Sequence, residues 1–357
     1  WMVAIANCLG TNDINKGTWE ERIEFGKKFV GEWSTGSMDA EAAVAGAKEE
    51  YIAWKTLNAV NDMLDCKPTK FTMPLDASSS GPQIMGTLTG CIETMKQTNS
   101  IYTGKAQDLY TNTYDWMEQE LAKDLIEFGQ FTRKQLKYCI MPTNYNSRGS
   151  SIELFGLGTP EYGCFHKSRD VLTPGCVELL SILNTAWNPH SGEYGWTNIA
   201  GQECLVQAVD KSFDKGTGRA KCKKQLRIKE VYDLQGSFTY QYTERGVPCD
   251  YYIPLAANII QSCDSGIKSL VQKDCRVNRG FDILTVHDQF SAHPVNMTQL
   301  CMSYREQLAY MFKRNHLQDL LSDLKGEHVP FTRKCDGVEG QADWIHNEIL
   351  NSQYTIG

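Results

Sequence analysis

The chain has 357 residues, of which 41% are hydrophobic and 22% are charged. This composition excludes a disordered chain, a collagen-like repeat and a simple coiled coil, and no apolar run reaches the roughly 20 residues of a membrane-spanning helix. Basic and acidic residues number 36 and 43, so the formal net charge is −7 and does not by itself indicate binding to nucleic acid.

Thirteen cysteines are scattered from Cys8 to Cys335, and none forms a C-x-x-C pair. This usage favours reduced thiols in a cytosolic protein over a zinc site or a disulfide framework. No signal-peptide pattern opens the chain. Because its first residue is Trp1, we expect the chain to be a segment or one half of something larger.

The periodicity of apolar residues predicts the elements in chain order. Residues 18–65 have the spacing of two or three helices, with Thr18 as a candidate N-cap. Residues 70–76 predict a short strand, and residues 83–97 and 104–141 have helical spacing.

The second half of the chain gives a similar mixture. Prolines and glycines break the pattern over residues 142–175. Residues 254–274 predict a helix, residues 281–286 a strand, and residues 296–325 one or two helices. The chain is therefore expected to be mixed, with helices dominant and a small antiparallel sheet.

A carboxylate follows the first predicted strand, in the segment Asp76-Ala77-Ser78-Ser79-Ser80-Gly81-Pro82-Gln83. The small residues of this turn leave room for a metal ion and a triphosphate against the backbone. Taken alone, such a segment is more often an aspartate that begins a serine-rich turn.

A pair of cations lies on the helix predicted after residue 104. Arg133 and Lys137 are at i, i+4 and share a face, which Tyr145 joins if the helix continues. A guanidinium and an ammonium one turn apart suit a triphosphate, because the first binds phosphate bidentately and the second acts as a point charge. Two solvated cations and a half-buried tyrosine are the commoner outcome.

A basic run occupies residues 211–229 and includes Lys223, Lys224, Arg227 and Lys229. An isolated charge run is usually a solvated loop. Here apolar and aromatic residues alternate on both sides of residues 233–236, which predicts a long β-hairpin with a basic arm and an aromatic arm. Phosphates and unstacked bases would suit these two arms.

The predicted strand 281–286 runs into His287-Asp288, and residues 290–293 can return as its partner. This arrangement places Asp288 at a hairpin tip, although a polar turn with an exposed histidine is the simpler interpretation. Together with Asp76 and the cationic helix, however, Asp288 matches the needs of two-metal nucleotidyl transfer. Carboxylates bridge two Mg²⁺ ions, one of which activates a 3′-hydroxyl while the other holds pyrophosphate.

In these segments the sequence resembles the single-subunit DNA-dependent RNA polymerases of bacteriophages and mitochondria. Residues 76–83 are similar to the first palm motif of that family, and residues 286–290 are similar to its third motif. Arg133, Lys137 and Tyr145 match its fingers-helix motif in type and spacing. Weaker similarity covers nearly the whole chain, and the basic hairpin around residues 215–245 falls where the family has its promoter-specificity loop.

The resemblance implies a right-hand polymerase fold of the α+β class. Residues 1–97 and 262–357 would form the palm, and residues 98–261 the fingers. Asp76 and Asp288, with the backbone carbonyl of Ala77, would hold two Mg²⁺ ions as cofactors.

The resemblance also implies roles for the remaining motif residues. Arg133 and Lys137 would grip the incoming triphosphate, and Lys137 would also protonate the leaving pyrophosphate. Tyr145 would close over the nascent base pair and favour ribose. Gln261 would make a contact near the ribose 2′-hydroxyl. His287, Gly81 and Gln83 would support the turns and the primer end. Contact with promoter DNA is implied for Lys223, Lys224, Arg227 and Lys229.

Three positions depart from the family pattern. Asn146 and Gln261 stand where the family has glycine and histidine, although an amide can still donate and accept hydrogen bonds. Pro142 lies inside the expected fingers helix, where it costs about 3 kcal/mol unless the helix kinks or stops.

Family members carry promoter-binding and thumb elements before the part resembled here. The resemblance therefore implies that a second polypeptide supplies them, and that this chain is the catalytic subunit of a split phage RNA polymerase in the cytoplasm of an infected host cell. Its other partners would be a DNA template, nascent RNA and ribonucleoside triphosphates, with an activator or a single-strand DNA-binding protein as a further candidate.

Two other functions stay open at this point. A family A-like DNA polymerase would share the aspartates and the cationic helix, although Tyr145 and Gln289 argue against it. A non-catalytic nucleic-acid-binding subunit could retain the same fold, although the presence of both aspartates and both cations argues for catalysis.

Overall fold

The computed structural model describes residues 1–11, 14, 17–47, 49–126, 128–129, 131–186, 193–207, 211–213, 220–222, 224–233, 236–245 and 255–356. Between residues 207 and 245 it describes only backbone, except at Glu230 and Thr239. The described chain is helix-rich, with a small antiparallel sheet and separate two-stranded ribbons, which confirms the α+β class. Within these ranges, no helix combines the length and the apolar character needed to cross a membrane.

Helices α1 to α4 precede the sheet and pack around their own apolar cluster. Their bounds are Met2–Leu9, Trp19–Ser34, Ala40–Val44 and Glu50–Leu64. Thr18 is the N-cap of α2, as predicted: its hydroxyl accepts from the Glu21 N–H at 3.2 Å, and its own N–H donates to the Glu21 carboxylate at 2.7 Å. Ile5, Phe29 and Leu57 are among the buried residues of the cluster.

The first strand, β1 (Met73–Asp76), begins three residues later than predicted. Its delayed start has a local cause, because the Phe71 N–H donates to the Thr69 hydroxyl at 3.2 Å instead of joining a strand ladder. Helix α5 (Ser80–Thr89) follows at once and ends at Gly90, whose φ of 66° suits glycine. Helix α6 (Ile92–Gln97) completes this segment.

The helices that follow correct two sequence predictions. Their bounds are Leu109–Lys123 (α7), Arg133–Asn144 (α8), Gly149–Phe155 (α9), Pro160–Leu172 (α10) and Pro174–Ala186 (α11). The single helical stretch predicted over 104–141 is divided into α7 and α8. The stretch 142–175, predicted to be broken, is largely helical because Pro160 and Pro174 begin helices, where proline loses no backbone hydrogen bond.

Antiparallel ribbons follow α11. They pair β2 (Glu193–Thr197) with β3 (Glu203–Gln207), β4 (Lys211–Phe213) with β5 (Ala220–Cys222), and β6 (Lys224–Asp233) with β7 (Gly236–Arg245). The last ribbon confirms the predicted long hairpin, and its register sets Arg227 opposite Tyr242 and Lys229 opposite Tyr240. Lys223 and the turn residues 234–235 lie outside the described residues, as do the side chains of Lys224, Arg227 and Lys229.

The remaining elements complete the central sheet and its cover. Helix α12 (Leu255–Val277) leads to β8 (Leu284–Val286) and β9 (Gln289–Ala292). Helices α13 to α15 follow, with bounds Met297–Lys313, His316–Lys325 and Gln341–Asn351. The sheet order is β1-β9-β8, so the strand after the His-Asp turn lies in the centre, as the predicted return of residues 290–293 requires.

Three buried apolar clusters organise the described chain. The largest surrounds the sheet and contains residues of α5 and α11 to α15. A second cluster is formed by α7 to α10, and the third is the cluster of α1 to α4. The predicted boundary at residue 261 falls inside α12, and the buried residues of α11 belong to the cluster that surrounds the sheet.

Candidate active site

The sheet brings the two predicted metal ligands together across 212 residues of sequence. Strands β1 and β9 pair in antiparallel register, with Asp76 opposite Gln289. One step further along, the Ala77 N–H donates to the Asp288 carbonyl at 3.2 Å. Asp76 and Asp288 therefore occupy neighbouring positions at the same end of adjacent strands, and both line one cavity of about 430 Å³.

His287 and Asp288 form the two-residue turn between β8 and β9. His287 has a φ of 54°, in the left-handed region that residues other than glycine rarely adopt. This backbone conformation closes the hairpin tightly and presents Asp288 at its tip. His287 is exposed and is not among the described residues that line the cavity, so its support of the turn and the primer end stays a prediction.

The cationic helix forms another wall of the same cavity. Arg133 and Lys137 of α8 both line it, together with Asp76, Ala77 and Asp288. Helix α8 begins at Arg133 because Thr132 and Gln135 form a capping box. The two cations thus lie in the first turns of the helix, whose N-terminal dipole also favours an anion.

Asp108 holds Arg133 in a defined orientation. Its carboxylate accepts from Arg133 Nε at 2.6 Å and from Nη2 at 3.0 Å. The Arg133 guanidinium carbon lies 5.1 Å from the ring centre of Tyr110, and Lys137 Nζ lies 5.6 Å from the same ring. A guanidinium has five N–H groups, so Arg133 keeps donors for a phosphate while it is oriented by Asp108.

Tyr145 lies just beyond the end of α8, which continues past Pro142 to Asn144 and is followed by Asn146 with a left-handed φ of 71°. The helix does not continue through Tyr145, so the condition under which it would join the face of Arg133 is not met. Its hydroxyl instead lies against Gly81, where a Cβ atom would be only 2.1 Å from Tyr145 Oη. Burial, followed by the nearby Asp264 carboxylate, raises the pKa of Tyr145 above its ordinary value.

Gln83 connects the first motif to distant parts of the chain. The Tyr304 hydroxyl donates to Gln83 Oε1 at 2.6 Å. Gln83 Nε2 donates to the carbonyls of Thr98 at 2.9 Å and Thr355 at 3.1 Å. Gln83 is fully buried, so its role is to fix the turn that carries Asp76 rather than to contact a ligand.

The segment 352–356 supports the same turn from the other side. Ala77 pairs with Ile356 in a β-bridge, and the Ser78 N–H donates to the Thr355 carbonyl at 3.1 Å. The Ser78 hydroxyl donates to the Tyr354 carbonyl at 2.8 Å. These bonds hold the backbone of residues 77–78 in place while the Asp76 carboxylate stays exposed.

A third carboxylate lies near the pair. Burial, followed by the charge of Asp288, raises the pKa of Asp264 to about 6, while Lys268 and His287 oppose the shift. Asp264 is on α12, one turn after Gln261. Gln261 itself is exposed and is not among the described residues that line the cavity, so its predicted contact with a ribose stays a prediction.

The ligand set suits Mg²⁺. Asp76 and Asp288 offer carboxylate oxygens and Ala77 offers a carbonyl oxygen, the hard donors that Mg²⁺ prefers. No group of three or more His, Cys, Asp or Glu side chains within the described chain could hold a metal. Mg²⁺ sites with one or two carboxylates are completed by water and substrate phosphates, so this pair fits the ion.

The structure adds cavity residues that the sequence did not single out as functional. These are Arg22, Asp108, Tyr110 and Tyr354. Asp108 and Tyr110 lie within residues 104–141, for which the sequence predicted only a helix. Tyr354 lies close to the last residue of the sequence. Of these four residues, only Asp108 could have been found from the sequence, as a candidate N-cap directly before a helical run.

No protein-family model matches this chain, and no curated protein matches it. The resemblance to phage and mitochondrial RNA polymerases therefore depends on the sequence motifs, and the geometry of the cavity is the independent observation to set beside it.

Proposed function

We propose that this chain is the catalytic subunit of a phage-type RNA polymerase, with a palm formed around the β1-β9-β8 sheet and fingers formed by α7 to α10. It extends the 3′ end of an RNA on a DNA template with ribonucleoside triphosphates. The observation that carries the proposal is the pairing of β1 with β9, which sets Asp76 and Asp288 beside each other in a cavity that also contains Arg133 and Lys137.

Each cavity residue has a chemical role in such a reaction. Asp76 and Asp288 would hold two Mg²⁺ ions, which supply Lewis-acid activation of the 3′-hydroxyl and stabilise charge on the leaving pyrophosphate. Arg133, oriented by Asp108, donates to phosphate oxygens, and Lys137 adds a mobile ammonium that can donate a proton to the departing group. Charge neutralisation and positioning account for most of the catalysis of phosphoryl transfer.

Extension of a labelled RNA primer on a DNA template tests the proposal. The expected rate in Mg²⁺ falls about 1000-fold or more for Asp288→Asn, because loss of a metal ligand removes several kcal/mol of transition-state stabilisation. Arg133→Gln should raise KM about 10- to 100-fold through loss of charge-assisted hydrogen bonds. Lys134→Gln is the matched control, since Lys134 is exposed on the same helix and does not line the cavity. Unchanged extension by Asp288→Asn would contradict the proposal.

The same assay separates the RNA polymerase from a DNA polymerase. An RNA polymerase should prefer ribonucleotides to deoxyribonucleotides, and the preference should fall for Tyr145→Phe, since the sequence resemblance assigns ribose selection to Tyr145. Use of the native complex, purified with any second polypeptide, also tests the predicted thumb-bearing partner. A lone chain fully active on promoter DNA would refute that partner while leaving the catalytic assignment intact.

A further inference from the structure

Arg22 is a buried cation that the sequence motifs did not assign to the site. It lies in the first turn of α2 and is only 4% exposed, yet it lines the same cavity as Asp76 and Asp288. Its Nε donates to the Gly17 carbonyl at 3.1 Å, and its Nη1 donates to the Asn7 side-chain oxygen at 3.2 Å. The guanidinium carbon also lies 5.6 Å from the ring centre of Trp19.

This charge has no carboxylate partner within the part of the chain that the structure describes. Both of its described hydrogen-bond acceptors, Gly17 and Asn7, are neutral. Burial lowers the pKa of Arg22 from its ordinary value, although the guanidinium stays protonated at neutral pH. Burying an unpaired cation costs free energy, and a protein retains such a group where an anion compensates the charge.

The two hydrogen bonds fix the position of the Arg22 head group and leave further N–H donors. Arg133 is paired with Asp108. Lys137 and Arg22 are the other two cations that line the cavity, and neither is paired with a described carboxylate. They come from separate elements, α8 and α2. A ligand that spans both must carry negative charge along its length, as a polyphosphate does.

We propose that Arg22 binds the terminal phosphate of the nucleoside triphosphate and, after transfer, the pyrophosphate that leaves. The assignment to a nucleotide rests on the proposed function; the assignment to a polyphosphate rests on the cavity alone. The phosphate next to the sugar reacts at Asp76 and Asp288, so the far end of the triphosphate is free to reach Arg22. A fixed, bidentate donor there makes the site discriminate triphosphates from shorter nucleotides.

Calorimetric titration of the full chain with ATP, ADP, AMP and sodium tripolyphosphate, each with Mg²⁺, tests this proposal. Arg22→Gln should weaken the affinity for ATP and tripolyphosphate about 10- to 100-fold and leave the affinity for AMP unchanged. Lys27→Gln, an exposed cation of the same helix that does not line the cavity, should bind all four ligands as the unmodified chain does.

Arg22→Lys keeps the charge but not the bidentate geometry, so it should recover part of the lost ATP affinity. Thermal melting separates ligand binding from folding: a purely structural Arg22 would lower Tm without ligand but leave the ATP-induced rise in Tm unchanged, which would overturn the proposal. Equal losses for AMP and ATP would also overturn it. Tripolyphosphate binding that depends on Arg22, together with a native complex that extends no RNA, would uphold the phosphate site and refute the polymerase assignment.

Discussion

Gly81 and Tyr145 connect the first motif with the end of the cationic helix through a single contact. Gly81 has no Cβ, and this absence is what allows the Tyr145 hydroxyl to lie against its backbone. Glycine is therefore required here because the Tyr145 side chain approaches closely. An unusual backbone angle is not the reason, since Gly81 is not among the described glycines with positive φ.

Gly81→Ala should destabilise the fold by about 1–3 kcal/mol, because the added methyl group overlaps Tyr145 in a packed region. In a Tyr145→Ala background the same change should cost less than about 0.5 kcal/mol, since the overlapping ring is gone. Urea unfolding of the two single variants and the double variant measures the coupling. Equal costs of Gly81→Ala in both backgrounds would contradict this contact.

Asp264 makes stability depend on pH. Burial and the Asp288 charge raise the pKa of Asp264 to about 6 in the folded chain, from the model-compound value of 3.8. The folded state therefore binds the proton more tightly than the unfolded state does, and stability falls as the pH rises from about 4 to above 6.

Asp264→Asn should remove this pH dependence. Without divalent ions the variant should be more stable than the unmodified chain at pH 7.5, by up to about 3 kcal/mol, and the gain should disappear below about pH 4. Urea unfolding across this range measures it, with the exposed Asp282→Asn as control. A gain of equal size at pH 4 and pH 7.5 would exclude titration of Asp264 as the cause.

At the scale of elements, Gln83 connects α5 to α13 and to the segment 352–356. All of its side-chain hydrogen bonds are buried, so its replacement by an apolar residue removes the bonds to the Tyr304 hydroxyl and the Thr98 carbonyl. It also removes one of the two bonds to the Thr355 carbonyl, which still accepts from the Ser78 N–H. We expect Gln83→Leu to cost about 3 kcal/mol or more, and Tyr304→Phe about 1–2 kcal/mol. Gln261→Leu, at an exposed position, should change the free energy of unfolding by less than about 0.5 kcal/mol.

Local signals predicted several elements correctly. The N-cap at Thr18, the long hairpin and the strand-turn-strand around residues 287–288 all depend on nearby residues, which is why their patterns were sufficient. The stretch 142–175 was predicted wrongly because prolines and glycines were taken as breakers, whereas Pro160 and Pro174 begin helices. Helix α8 ends at Asn144, so the continuation that would have placed Tyr145 on the face of Arg133 does not occur.

The candidate site was predicted in part for the same physical reason. Asp76, Asp288, Arg133 and Lys137 lie in short motifs with recognisable spacing, and the structure brings them to one cavity. Arg22 lies in a segment of only weaker similarity to the family, and Asp108 belongs to no motif. The contacts of both join residues separated along the chain. Burial and ion pairing of this kind cannot be read from spacing alone.

At the scale of the whole molecule, the cavity is lined by side chains from elements of all three apolar clusters. Arg22 comes from α2, Asp76 and Asp288 from the sheet, and Arg133 from α8. The net charge of −7 therefore coexists with cations focused around one pair of carboxylates. Correct docking of all three clusters is required before the cavity exists.

Localised cleavage by Fe²⁺ tests the central claim that Asp76 and Asp288 hold metal ions together. Fe²⁺ that replaces Mg²⁺ generates hydroxyl radicals, which cut the backbone beside the metal, and mass spectrometry locates the cuts. We expect cuts near both residue 76 and residue 288, suppressed by excess Mg²⁺ and lost at both positions in Asp288→Asn. Cuts near only one of these positions, or cuts that persist in Asp288→Asn, would contradict a shared metal site and with it the proposed polymerase.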